Sequence, residues 1–214
     1  MAAITSCLVR LIARWSLGLQ WCNLSNHIQR DIDRSVEELD RIPPVLVIAL
    51  IAGEDRRFLN HKGLDFRSII RALLCNVRAG CIVQGASTIE QQLIRTYTND
   101  RKQNFRRKLR EALLATLLSS MFSKDKIARL YILRAYYGWR GNGIMQMCIR
   151  LEYDLESLSL EDACYIIACL KYPAPQNPSL KSRKAIRERA TYISDMIENA
   201  RHPKRVLIYA RERD

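Results

Sequence analysis

Apolar residues recur at three- and four-residue intervals along most of this chain, and strict alternation is nearly absent, so the pattern predicts a mainly helical protein. Pro43-Pro44 ends one segment, and Pro44 suits the first position of a helix running to about Asp55. Asp65 is placed to cap the next helix, with Phe66, Ile69, Ile70, Leu73, Leu74 and Val77 on one face, Arg67, Arg71 and Arg78 off it, and Gly80 at its end. Ser87 and Glu90 have capping-box spacing and predict a helix to about Tyr97, broken at Asn99-Asp100. A longer helix is expected from about Asn104 to Met121, burying Leu109, Leu113, Leu114, Leu117 and Leu118. Ser123 should cap another to about Tyr137, before a loop marked by Gly138, Gly141 and Gly143. Ser159 starts a further helix to about Leu170, ended by Pro173 and Pro175, and Leu180 to Asn199 is the last. Arg205 to Ala210 is one weak strand candidate.

Length and composition keep this picture and add to it. With 214 residues, 48% of them apolar, the chain is one domain or a domain with a small appendage, and wholesale disorder is excluded. A net charge of +13 predicts attraction to polyanions, whether nucleic acid, an anionic membrane surface or a phosphorylated substrate. The seven cysteines are odd in number and include no C-x-x-C pair. They suggest neither a zinc site nor a disulfide framework, and favour a reducing compartment or buried thiols. The amino-terminal apolar stretch is interrupted by Arg10 and Arg14. It is expected neither to span a bilayer, which takes ~20 predominantly apolar residues, nor to act as a cleavable leader. Residues 4–22 fit an amphipathic helix, either lying on a membrane with Trp15 and Trp21 at the interface or docked on the protein.

Four clusters could carry chemistry. Glu54 and Asp55 follow directly on the apolar run from Val45; lost hydration and a like-charged neighbour favour a general base there, while pairing with Arg56, Arg57 or His61 is the plainer account. Gly85 to Arg95 is a glycine-containing loop opening a helix, with Gln91 and Arg95 on one face, which suits an anion or simply a capped polar helix. Arg95 to Arg110 is densely basic and ends beside Glu111. Arg107 and Lys108 lie four and three positions before that carboxylate, a spacing that fits a pyrophosphate wall or an ordinary surface ion pair. Leu170 to Pro178 reads as a rigid loop over a cleft or as a proline-rich linker.

In this order and spacing the clusters resemble glycosyltransferase family 51, the peptidoglycan transglycosylases found in class A penicillin-binding proteins and monofunctional transglycosylases. The E-D-x-x-F-x-x-H-x-G motif is matched by Glu54, Asp55, Phe58, His61 and Gly63. G-x-S-T-[IL]-x-Q-Q-L-x-[KR] is matched by Gly85, Ser87, Thr88, Ile89, Gln91, Gln92, Leu93 and Arg95, and R-K-x-x-E by Arg107, Lys108 and Glu111. Residues 158–163 and 173–178 echo two later stretches. The resemblance implies a lysozyme-like helical domain of two lobes with a cleft between them, over residues 40–200, after an extension at 1–39 and before a tail at 201–214. It implies polymerisation of lipid II, with the nascent glycan on undecaprenyl pyrophosphate as donor, into β-1,4 strands with inversion. Glu54 would be the general base and Glu111 would assist departure of the pyrophosphate. Arg95, Lys108 and Arg107 would hold the diphosphate, and Asp55, Phe58, His61, Gly63, Ser87, Thr88, Gln91 and Gln92 would complete the substrate site. A divalent cation such as Mg²⁺ is left open, with Glu111 as its candidate ligand.

The resemblance also implies work at the outer face of the cytoplasmic membrane beside other cell-wall synthesis proteins, with no nucleic acid involved. Without a spanning helix, the expectation is a peripheral or truncated chain. The sequence departs from the family pattern at Glu90, where a small hydroxyl residue is usual, at Leu133, where Asn is usual, at Gln103, and at Lys171-Tyr172. Ser123 to Lys126 fits S-x-x-K, but no K-T-G follows, so Ser123 reads as a helix cap. The competing functions are a lysozyme-like glycan hydrolase, a non-catalytic lipid II binder, and a basic helical module binding nucleic acid.

Overall fold

The computed structural model describes residues 2–81, 85–100, 102 and 104–199, with side chains from residue 8 onward. Among these the regular structure is helical: α1 (Ala2–Arg34), α2 (Val36–Asp40), α3 (Pro44–Glu54), α4 (Phe66–Ala79), α5 (Ile89–Thr98), α6 (Phe105–Met121), α7 (Lys124–Arg134), α8 (Ile144–Leu151), α9 (Leu160–Lys171) and α10 (Leu180–Glu198), with a 3-10 turn at Phe58–Asn60. The mainly α class expected from the periodicity is therefore found. The strand candidate at Arg205 to Ala210 and the position of Gln103 lie outside the described residues.

The chain forms two compact units. One comprises Met1–Arg34 and Arg57–Ile127, the other Ser35–Arg56 and Ala128–Asp214. The E-D-x-x-F motif is thus divided along the chain, Glu54 and Asp55 in the second unit and Phe58, His61 and Gly63 in the first.

In the first unit α6 packs on α1 and α5. α1 has a non-helical residue at Leu17 (φ −126°, ψ 16°), and its two stretches behave differently. Leu24, Ile28 and Ile32 are buried, whereas Leu8, Leu11, Ile12, Trp15 and Leu19 are exposed, Trp15 by 91%. The carboxy-terminal part is thus docked on the protein, and the amino-terminal part carries apolar side chains in the open. α4 is capped by Asp65, which accepts from the Arg67 amide at 3.2 Å, the Ser68 hydroxyl at 2.6 Å and Arg57 Nε at 3.0 Å. Burial pushes the Asp65 carboxyl up, but the bonds from Ser68 and Arg57 outweigh it and leave the group below its ordinary 3.8. The apolar face of α4 is uncovered: Phe66, Ile69, Ile70, Leu73, Leu74 and Val77 are all exposed. Two expectations for α6 are corrected. Leu109 is 50% exposed and Leu113 half-buried, because both lie to one side of the buried stripe that Glu111, Leu114, Ala115 and Leu118 form at helical spacing; the buried residues are Glu111 and Leu114 to Leu118.

In the second unit α3 packs on α9 and α10, which also pack on each other. α3 is buried through Leu46, Val47, Ala49, Leu50 and Ile51, so its carboxy-terminal residue Glu54 is delivered by a rigid apolar element. α7 ends at Arg134, three residues before the expected Tyr137, because Tyr136 bridges to Asn142 and Gly138 to Ala174, with the Tyr137 amide donating to the Gly141 carbonyl and its own carbonyl accepting from the Ala174 amide. α2 and α8 arise in short segments that the periodicity did not single out. Leu133, where the family pattern has Asn, is 2% exposed and packs as an ordinary core residue. Pro173 to Pro178 is pinned by Arg150, which donates to the carbonyls of Trp139 (2.8 Å), Ala174 (3.1 Å) and Pro175 (2.9 Å). Gly138 (φ +125°) lies so close to Ala174 that a Cβ would sit 2.2 Å from its carbonyl oxygen. Gly138→Ala is therefore expected to lower unfolding stability by about 2–3 kcal/mol in urea titrations monitored by circular dichroism, whereas Gly80→Ala, with open space around it, should cost only the strain of its left-handed φ of +64°, about 1 kcal/mol.

Candidate active site

The first unit gathers a cationic cluster around one carboxylate. Glu111, on the inner side of α6, is 1% exposed. Its Oε1 accepts from Arg95 Nε at 3.1 Å and Arg107 Nη1 at 3.0 Å, and its Oε2 accepts from Arg95 Nη2 at 3.0 Å. Arg95 thus forms a two-pronged fork from α5, and Arg107 reaches Glu111 from one turn earlier on α6. Lys108 points elsewhere and donates from Nζ to Ser87 Oγ at 2.6 Å. Burial, then the neighbouring Arg95, lower the Lys108 ammonium below its ordinary 10.5; Glu111 pulls in the opposite direction and Arg107 lowers it further. Three cations stand against one carboxylate, so the cluster keeps positive charge for an incoming anion.

The segment leading into α5 is built differently from the sequence expectation. The capping box uses Thr88 and Gln91, not Ser87 and Glu90: Thr88 Oγ1 accepts from the Gln91 amide at 3.3 Å, and Gln91 Oε1 accepts from the Thr88 amide at 3.1 Å. Both registers have the same spacing, and tertiary partners decide between them. Ser87 is taken by Lys108. Thr88 also donates to the Gly63 carbonyl at 2.9 Å, and Glu90 pairs with Lys124. Gly63 (φ +89°) rests on α6, where a Cβ would meet the Ala115 carbonyl oxygen at 2.3 Å. Phe58 is fully buried, and the His61 side chain is 5% exposed with Nδ1 4.0 Å from Glu90 Oε1. Thr88, Gln91, Phe58 and Gly63 therefore serve the architecture of the site. Gln92 is half-buried, one helical position on from the buried Gln91.

In the second unit Glu54 ends α3 with its side chain 14% exposed, and Arg189 on α10 donates from Nη2 to Glu54 Oε1 at 3.4 Å and to the Gly53 carbonyl. A cation there complements the negative end of the α3 dipole. Asp55, the helix C-cap, is 8% exposed. Sequence reasoning missed Arg189, since nothing local ties position 189 to position 54. It also missed Lys124, which falls between the two residues that define the S-x-x-K match, Ser123 and Lys126; Ser123 does cap α7, accepting from the Lys126 amide at 3.3 Å.

Glu111 fits poorly as the ligand of a resident divalent cation. Both its oxygens already accept from guanidinium groups, and a cation there would displace the Arg95 fork amid two further positive charges.

Because the folded chain disfavours the charged form of Lys108, the unfolded chain binds that proton more tightly; this group makes stability rise with pH only between its lowered folded-state value and about 10.5, and at neutral pH the charge counts fully against the fold. Lys108→Met should consequently leave the thermal midpoint unchanged or raised at neutral pH. The stabilisation that millimolar pyrophosphate gives the wild type should fall at least threefold, as read by differential scanning fluorimetry.

The Transglycosylase family model matches residues 23–197. The chain is 37% identical over 161 residues to penicillin-binding protein 1A of Aquifex aeolicus (strain VF5), covering 75% of this chain and 22% of that protein. It is 34% identical over 166 residues to penicillin-binding protein 1A of Neisseria flavescens, covering 77% and 21%, and 34% identical over 161 residues to that of Escherichia coli (strain K12), covering 75% and 19%. The chain spans about a fifth of the length of the curated relatives it matches.

Proposed function

This chain belongs to the transglycosylase family, and we propose that it is a peptidoglycan glycosyltransferase that joins lipid II units into β-1,4 glycan with inversion. The observation that carries the reading is the buried Glu111 carboxylate held by Arg95 and Arg107 with Lys108 beside them. This pre-assembled excess of positive charge suits a substrate whose leaving group is a diphosphate.

In this reading Glu54 takes the proton from the acceptor's 4-hydroxyl. The acceptor oxygen forms its bond to the donor's anomeric carbon as the bond from that carbon to the diphosphate oxygen breaks, and undecaprenyl diphosphate leaves with the electron pair. Arg95, Arg107 and Lys108 take up the charge that develops on the leaving oxygens. Glu111 keeps the guanidinium groups in a fixed array, so that little reorganisation accompanies the reaction. The proton on Glu54 is then lost to solvent. Arg189 holds the Glu54 carboxylate against the end of α3, which supports its role as a base of fixed orientation. No step is assigned to a metal; a divalent cation that accompanies the diphosphate belongs to the substrate.

The polyprenyl tail of such a substrate calls for a bilayer. Among the described residues no helix is long and apolar enough to cross a membrane. The first unit instead exposes Leu11, Trp15 and Leu19 on α1 and Ile70, Leu73 and Val77 on α4, with Arg67, Arg71 and Arg78 along α4. These residues support contact with an anionic membrane surface. The outer face of the cytoplasmic membrane as its place, and other cell-wall synthesis proteins as its partners, follow in this reading from the proposed reaction alone.

Incubation with lipid II in detergent tests the proposal. Polymer is expected from the wild type, at least 1,000-fold less from Glu54→Gln with an unchanged thermal midpoint, and about 10²-fold less from Arg95→Ala. Soluble muropeptides released from sacculi without any polymer from lipid II would overturn it in favour of a hydrolase.

A further inference from the structure

We propose that Glu90 and Lys124 are positioning residues whose buried ion pair clamps the turn Phe58–Gly63 against the first turn of α5. In its kinetic consequence the proposal rests on the glycosyltransferase reading above; in its structural part it stands alone.

Glu90 is wholly excluded from solvent, directly after the Thr88 cap and Ile89. Its Oε1 accepts from Lys124 Nζ at the start of α7, and its Oε2 has no hydrogen-bond partner. A carboxylate in that position requires a compensating cation, and Lys124, itself only 19% exposed, is that cation. The same ammonium sits 4.2 Å from the centroid of the Phe58 ring, so one charge holds both the carboxylate on α5 and the aromatic ring at the start of the turn. The other end of the turn is tied by Thr88 Oγ1 to the Gly63 carbonyl at 2.9 Å, with Gly63 backed on α6. His61 lies between these ties, its Nδ1 4.0 Å from Glu90 Oε1.

The N-cap Thr88 directly, and Glu90 in the first turn of α5 through Lys124, thus fix both ends of the turn. The same helix carries Arg95 onward to the Glu111 cluster. A negative charge at position 90 would by itself oppose an anionic substrate; Lys124 neutralises it. Buried ion pairs contribute little net stability compared with apolar replacements, and their best-attested role is to fix one arrangement among several. That contrast separates a positioning pair from a merely structural one.

The experiment compares the whole chain with Glu90→Gln, Lys124→Met, the double variant, and Lys124→Arg. It reads the thermal midpoint, hydrogen exchange of the amides at 58–63, and kcat and KM for lipid II. Each single neutralisation should lower the midpoint, and the double variant should recover most of it. The double variant is nevertheless expected to exchange at least tenfold faster at 58–63 and to lose at least tenfold in kcat, with KM within twofold. Lys124→Arg, which keeps the charge, should retain wild-type values in all three. Wild-type exchange in the double variant overturns the proposal, and so does wild-type kcat alongside faster exchange. If the wild-type chain makes no polymer, the glycosyltransferase reading fails and the exchange rates alone decide the clamp. Should the double variant not fold, Glu90→Asp replaces it: faster exchange at 58–63 supports the clamp and unchanged exchange overturns it.

Discussion

A carboxylate withdrawn from water needs positive charge close by and bonds for its lone pairs, and at Glu111 that requirement organises the first unit. Arg95 comes from α5 and Arg107 from α6, so the two helices cannot shift against each other without exposing a buried charge. Arg107 also reaches the carbonyl of Asp100 at 3.3 Å, which ties the chain just beyond α5 to the same centre. Once that registry is set, Lys108 falls beside Ser87, Thr88 meets Gly63, and α5 begins where it does.

The same arrangement explains why so many family-motif residues lie out of reach of solvent. A motif that carries chemistry on a few side chains also has to specify where those side chains stand. Here Phe58, Gly63, Thr88 and Gln91 do the specifying, through a ring under a cation, a glycine against a carbonyl and a reciprocal cap. The second unit uses a plainer device. α3 is almost entirely apolar and packed by α9 and α10, and Glu54 is the first acidic residue at its end.

Helix type and most boundaries were legible because they depend on local chemistry: Pro44 at a helix start, Asp65 and Ser159 as caps, glycine at Gly80. The cap of α5 was misread by one residue because two candidate boxes overlap and only contacts distant in sequence choose between them. The cluster at Arg95, Arg107 and Glu111 was foreseeable from helical spacing and from the motif match. Arg189 and Lys124 were not, since each acts on a residue far away along the chain, 135 positions for Arg189 and 34 for Lys124. The exposed face of α4 has a perfect amphipathic pattern, which tells how a helix is divided but not what lies against it.

Burial raises the thiols of Cys148 and Cys164 to about 11 and that of Cys169 to about 12. A thiol that neither ionises near neutrality nor meets solvent cannot start disulfide exchange or capture an oxidant. These three cysteines act as packing volume, so thiolate chemistry in the core of the second unit is suppressed near neutrality. Among the cysteines whose side chains are described, thiol reactivity falls on Cys22 and Cys81, both at the surface of the first unit, and on the half-buried Cys75.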